Sequence, residues 1–179
     1  MLHHHRCIRQ ESPEDYDKVS KVIVSAFRED PDSDHKEQDL VSRLRKSIGF
    51  LPGLSLVAEY HDEIVGYILF TPIYIEDSGH KHNSLALAPI AVAPQHQNKG
   101  VGRHLIQQGH SFAHQMGFKS AIVLGHQHYY PRFGYRPVNQ FGIRLPFEAP
   151  DENCMAIELE KDALKYVTGM VVYPPEFYK

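Results

Sequence analysis

The sequence predicts one domain of mixed α/β class, built on a largely antiparallel sheet with a single parallel crossover. Three observations predict it. Apolar residues recur at helical spacing through the first third of the chain. The stretch "SLVAEYHDEIVGYILFTPIYI" then changes to a strand-like pattern with a tight turn inside it. Finally an almost wholly apolar strand, "SLALAPIAVAP", is followed by a helical segment and a second short apolar strand, "SAIVLG". Two strands joined by a helix of that length run parallel in one sheet. Helices first, then a hairpin, one crossover and further strands is not the order of a doubly wound sheet.

Each element has a local cause. Residues 6 to 10 form a short first strand. In "SPEDYDKVSKVIVSAF" Ser12 caps a helix, Pro13 takes its first position and Asp15 stands three after the cap. Tyr16, Val19, Val22, Ile23, Ala26 and Phe27 give that helix its apolar face. "EDPDSD" is a loop, and a second helix runs from about 35 to 48 with Leu40, Val41, Leu44 and Ile48 on one side. The next two strands turn near Asp62, and Pro72 marks a bulge or an edge in the second. "EDSGHKHN" reads as a polar loop. The strand after it is apolar enough to be buried on both faces, and Pro89 breaks its pairing, so it splays near residues 89 to 92. Val101, Leu105, Phe112 and Met116 line the following helix, which ends at Gly117. "HQHYYPRFGYRPV" is a compact turn or short helix before a strand, and "NCMAIELE" is a further strand.

Composition narrows the function classes. The 179 residues, 42% hydrophobic and 23% charged, suit one soluble globular domain. A net charge of −3 gives no strong pull toward nucleic acid or an anionic membrane. No apolar run approaches the roughly 18 residues of a membrane span. "MLHHHRCIRQ" has no apolar core of a secretory signal, and Cys7 and Cys154 match no paired spacing. A reduced, cytoplasmic location is expected. Thirteen histidines invite a metal reading, but "HSFAH" lacks the glutamate of H-E-x-x-H, and neither "HKH" nor "HQH" has an evident third ligand. The run His3–His5 is shorter than a usual affinity tag. No metal is expected.

The stretch "QNKGVG", residues 97 to 102, lies between the apolar strand and its helix. A helix start presents unpaired N–H groups and the positive end of the helix dipole, and glycines let a ligand approach the backbone. Together they make a seat for a phosphate. G-x-x-x-x-G-K-[ST] is absent, and so is G-x-G-x-x-G, because position 105 is Leu. On its own, a glycine pair is equally a tight strand-to-helix turn.

The run "PIAVAPQHQNKGVGRHLI" resembles the acetyl-CoA-binding motif of the GNAT-type N-acetyltransferase superfamily: a splayed strand, Q/R-x-x-G-x-G/A, then a helix. Gln97, Gly100 and Gly102 match it position by position. "YYPRFGY", residues 129 to 135, resembles the second signature of that superfamily. "LGHQHYYPRFGYRP" and "VVYPPEFYK" are similar to the YhbS-like bacterial branch of predicted acetyltransferases. The resemblance implies a mostly antiparallel mixed sheet, splayed between its two middle strands and flanked by about four helices. It implies one catalytic domain over residues 1–179, with a cofactor core at about 85–136.

It also implies a chemistry, in which acetyl-CoA is co-substrate and a primary amine attacks the thioester directly. Backbone N–H groups from Asn98, Lys99, Gly100, Val101, Gly102 and Arg103 would hold the pyrophosphate, with the side chains of Lys99 and Arg103 adding charge. Ile90, Ala91 and Val92 would pair with the pantetheine arm as with an added strand, the Val92 N–H polarising the thioester carbonyl. Tyr130, four residues before Gly134, matches the tyrosine that assists the departing thiolate. Freeing a lysine-like amine at neutral pH costs roughly 4 kcal/mol, so a base is needed. His126 is the candidate, with His128, Glu59, Glu63 and Glu76 as alternatives. The acceptor is a small-molecule or peptide amine, and the chain a monomer or homodimer. The rival function class is a non-catalytic acyl-CoA-binding sensor, which would bind without turnover.

Overall fold

The computed structural model describes residues 6–179, so His3–His5 lie outside the described residues. The chain forms two compact units, one made of the chain up to Phe70 with Ala88–Gly109, the other of Thr71–Leu87 with His110–Lys179.

In the first unit β1 (Cys7–Gln10) pairs antiparallel with β2 (Ser55–Tyr60), placing Ile8 opposite Ala58. His61 and Asp62, both at positive φ, turn β2 tightly into β3 (Glu63–Asp77), with a bulge between Ala58 and Glu59. The helix expected from Pro13 begins as a 3-10 turn, Pro13–Asp15, and becomes α1 at Tyr16–Phe27. Asp15 still closes its start, because Asp15 Oδ2 accepts the Ser12 N–H at 2.8 Å. The second helix, α2 (Glu37–Arg45), is shorter than its sequence pattern. Val41 and Leu44 are buried as expected, but Ile48 stands past the helix end and is fully exposed. Val19 and Ile23 of α1, Leu56 of β2 and Ile68 of β3 are all fully buried. Beneath α2 lies a polar cluster. Arg45 ion-pairs with Glu11, whose carboxylate also accepts the Ser55 hydroxyl at 2.6 Å, and Ser55 is hydrogen-bonded to the Tyr67 hydroxyl at 2.8 Å. A buried carboxylate needs such partners, since alone it would be strongly destabilising.

The expected loop at 76–83 is a correction. Ser78 and Gly79, at φ 50° and 83°, make a two-residue turn, and β4 (His80–Val92) starts at once. Left-handed conformation at both central positions is the hairpin turn that matches strand twist. Pro72 sits within β3, between Leu69, the last residue paired with β2, and Tyr74, the first paired with a later strand, Gly169–Val172.

The crossover is as expected. After β4 comes α3 (Val101–Gln115), then β5 (Ser120–Leu124), parallel to β4. The α3 core face is Val101, Leu105, Ile106 and Ala113, whereas Met116 lies past the helix end and is exposed, a second correction. In the second unit β6 (Arg136–Pro137) and β5 both pair antiparallel with β8 (Cys154–Glu158), which buries Cys154. The strand β7 (Ile143–Arg144) pairs parallel with β9 (Gly169–Val172), and β9 pairs antiparallel with β3 at Tyr74–Glu76. Ile73, Ile75, Ile122, Ala156, Leu164 and Val171 pack together there. The stretch expected as a compact turn or short helix before a strand holds a 3-10 turn, Tyr130–Phe133. Among the described residues no helix is long and apolar enough to cross a membrane.

Candidate functional site

The glycine turn belongs to the first unit. After Val92 a 3-10 turn covers Pro94–His96, and α3 starts at Val101. The chain reverses through two left-handed residues, Asn98 at φ 59° and Gly100 at φ 83°. Asparagine is among the few residues that tolerate this, and glycine adopts it freely. Three side chains hold the turn by its carbonyls. Gln97 Nε2 donates to Val92 O at 3.0 Å, Lys99 Nζ to Gln95 O at 2.8 Å, and Arg6 Nη1 to Lys99 O at 2.8 Å. None of these bonds uses an N–H of the turn. The helical ladder starts with His104 N–H on Gly100 O, so the N–H groups of Val101, Gly102 and Arg103 precede it. Asn98, Lys99, Gly100 and Arg103 are exposed, while Val101 anchors the helix start in the core. A helix start of this form suits an anion. At the end of β4, Ala91 is buried between half-buried Ile90 and Val92.

In the second unit, the parallel ladder of β4 with β5 pairs two residues of each strand, Leu85 with Ala121 and Ala86 with Ile122. It ends short of Pro89, where the sequence places a break. Beyond β5 the chain passes Gly125, whose N–H donates to Asn153 O at 2.9 Å, and reaches Tyr130. The ring of Tyr130 lies so close to the Gly125 backbone that a Cβ there would stand 2.3 Å from Tyr130 Cε2. Tyr129 and Tyr135 pack edge-on against it, with ring centroids 5.2 and 5.6 Å away. Behind them the Tyr135 hydroxyl is hydrogen-bonded to His110 Nε2 at 2.8 Å. Burial raises the Tyr130 hydroxyl well above the ordinary phenol value, so it is a neutral donor at neutral pH. His126 and His128 are exposed on the turn after β5. Among the other base candidates, Glu59 is occupied by Arg9, which reaches its Oε2 at 2.7 Å. Glu63 is exposed and Glu76 half-buried, both on β3.

Sequence reasoning missed Arg6, Gly125 and the His110–Tyr135 pair. His110 drew notice only as one of two histidines four apart. Its partner is a tyrosine, and burial lowers its pKa to about 4. The unfolded chain takes up that proton near pH 6.5, so the unfolded state holds more protons between about 6.5 and 4. Stability is therefore lost as pH falls through that window. His110→Gln, which keeps a hydrogen-bonding group but does not titrate, is expected to recover on the order of 2 kcal/mol of the loss at pH 4 relative to pH 7. Urea unfolding of both proteins across this range measures it. Equal pH dependence in the two would refute it.

The sequence profile of the Acetyltransferase (GNAT) family matches residues 20–135. The uncharacterized N-acetyltransferase YjhQ of Escherichia coli K12 is 35% identical over 154 residues, which span 86% of this chain and 82% of that protein. The uncharacterized N-acetyltransferase YhbS of the same strain is 29% identical over 171 residues, 95% of this chain and 97% of that protein. The crystal structure of the Escherichia coli YhbS protein in complex with CoA superposes with a TM-score of 0.85 at 28% identity, covering 100% of this chain and 95% of that one. A GNAT family acetyltransferase from Brucella melitensis, solved with acetyl-CoA, gives 0.80 at 30% identity over 98% of this chain and 99% of that one. The strand-turn-helix with Gln97, Gly100 and Gly102 falls inside the matched region, and the sheet has the mixed, mostly antiparallel form of these relatives. The chain belongs to the GNAT family of acetyltransferases.

Proposed function

We propose that this protein transfers an acetyl group from acetyl-CoA to a primary amine by direct attack, the whole chain of residues 1–179 acting as one N-acetyltransferase domain. The observation that carries the reading is the turn at Asn98–Arg103. Its side chains bind carbonyl oxygens, leaving the helix-start amides for a ligand, and the solved relatives named above hold CoA and acetyl-CoA. The pyrophosphate is held by the N–H groups from Asn98 to Arg103, with the cationic side chains of Lys99 and Arg103 beside it. Ile90, Ala91 and Val92 take the pantetheine arm as an added strand, and the Val92 N–H polarises the thioester carbonyl, an interaction worth about 3 kcal/mol.

Tyr130 assists the leaving thiolate. A thiol has a pKa of about 8.5 and a free phenol about 10, and burial moves Tyr130 further up. Full proton transfer is therefore uphill until charge builds on sulfur, and the phenol acts first as a hydrogen-bond donor. His126, an exposed imidazole on the turn before Tyr130, takes the proton of the attacking ammonium. The setting is the cytoplasm, in keeping with the unpaired cysteines and the lack of a membrane-spanning helix among the described residues.

Calorimetric titration with acetyl-CoA, followed by thiol release over a panel of amines, tests the reading. Micromolar binding and amine-dependent release are expected. Binding with no release on any amine would leave an acyl-CoA sensor. No binding by the folded protein would remove the reading altogether.

A further inference from the structure

Arg6 stands just before β1 and reaches the glycine turn across 93 positions, where its Nη1 donates to Lys99 O at 2.8 Å. The bonds from Gln97 and Lys99 are local, reaching back five and four residues. Arg6 clamps the turn from outside the strand-turn-helix. Its side chain is half-buried, and its Nε is enclosed with no hydrogen-bond partner among the described residues. That placement is costly, and a side chain free in water would avoid it. The bond to Lys99 O holds the guanidinium there. A Cβ on Gly100 would stand 3.9 Å from Arg6 Nη1, so the guanidinium lies against the turn itself.

The Lys99 carbonyl and the Gly100 N–H belong to one planar trans peptide and point in opposite directions. Gly100, at φ 83°, has no side chain to resist rotation of that plane. A donor fixed on Lys99 O therefore fixes where the Gly100 N–H is aimed. Arg6 owes its own position to β1, which is four residues long and pairs with β2 alone among the described residues. Arg9 secures that strand, with Nη1 on Asp15 Oδ2 and Nη2 on Glu59 Oε2, both at 2.7 Å.

We propose that Arg6 is a positioning residue for acetyl-CoA: it aims the Gly100 N–H at the pyrophosphate by holding the Lys99 carbonyl, and so couples the docking of β1 to cofactor affinity. The link to affinity rests on the reading above; the hold on the turn rests on the bond between Arg6 and Lys99 alone.

The test compares the full chain with Arg6→Met, which keeps the apolar stem and removes the donors, and Arg6→Lys, which restores one charged donor. Cooperative thermal unfolding of both variants shows that they fold. By calorimetry Arg6→Met is expected to bind acetyl-CoA about tenfold more weakly, and Arg6→Lys within about threefold of wild type. Amide hydrogen exchange read by NMR separates position from charge. Without ligand, the His104 N–H, which bonds Gly100 O, should exchange at least about fivefold faster in Arg6→Met. Saturating acetyl-CoA should slow exchange across Cys7–Gln10 in wild type, and Arg6→Met should abolish that slowing, because coupling between two sites is reciprocal. Unchanged affinity in Arg6→Met would overturn the proposal. So would weaker binding with His104 exchange unaltered, which would leave Arg6 as a charge and nothing more. A wild type that binds no acetyl-CoA would sink the acetyl-transfer reading and the link to affinity, while faster His104 exchange in Arg6→Met would still show the hold on the turn.

Discussion

Gly100→Glu is expected to abolish acetyl-CoA binding, lowering affinity at least about 100-fold, and Gly100→Ala to lower it about tenfold. The two substitutions separate backbone from charge. At φ 83° any side chain strains the turn, at a cost of roughly 1–2 kcal/mol. Space is not the obstacle, because a Cβ there meets only Arg6 Nη1, at 3.9 Å. Alanine therefore tests the turn conformation alone. Glutamate adds a negative charge where the pyrophosphate would lie, and its carboxylate can reach the Arg6 guanidinium. That pairing offsets part of the strain, so the variant should fold. Calorimetry with acetyl-CoA, alongside thermal unfolding, reads both effects. Affinity within threefold of wild type in a folded Gly100→Glu protein would mean that the turn does not hold the phosphates.

What was legible in the sequence was local. The strand, turn and helix around residues 85–115 were readable because apolar periodicity, a proline and two glycines within a few residues dictate them. The hairpin at Asp62 was readable for the same reason. Where a pattern outran its element, the reading failed: Ile48 and Met116 continue helical spacing past the last helical turn, and spacing carries no signal for where the core ends. The turn at Ser78–Gly79 looked like a loop because polar residues flank it, although β4 begins within two residues. Long-range contacts left no trace at all. Arg6 reaches the Lys99 carbonyl across 93 positions, and nothing near either residue announces the other. Gly125 looked like an ordinary strand end until the Tyr130 ring was seen lying against it.

That contact sets the second large effect. Tyr130→Phe is expected to lower kcat about 100-fold while acetyl-CoA affinity stays within about twofold, because in the proposed mechanism the hydroxyl acts on charge that appears only as sulfur departs. Gly125→Ala tests whether the position of the ring matters as well as its hydroxyl. The new methyl would fall 2.3 Å from Tyr130 Cε2 and 3.0 Å from Cδ2, and something must move. The Gly125 backbone is held by its bond to Asn153 O at 2.9 Å, so the ring yields. Displacement by an ångström is enough to misplace a donor, and kcat should fall at least about tenfold. The decisive comparison is the double variant. If Gly125 acts through the tyrosine hydroxyl, adding Gly125→Ala to Tyr130→Phe lowers kcat no further, since the group it displaces is already gone. If the two losses multiply, Gly125 serves the fold around β5 and not the tyrosine. Full turnover in Tyr130→Phe would remove the acid role outright, and the thiolate would then leave with no help from the second signature.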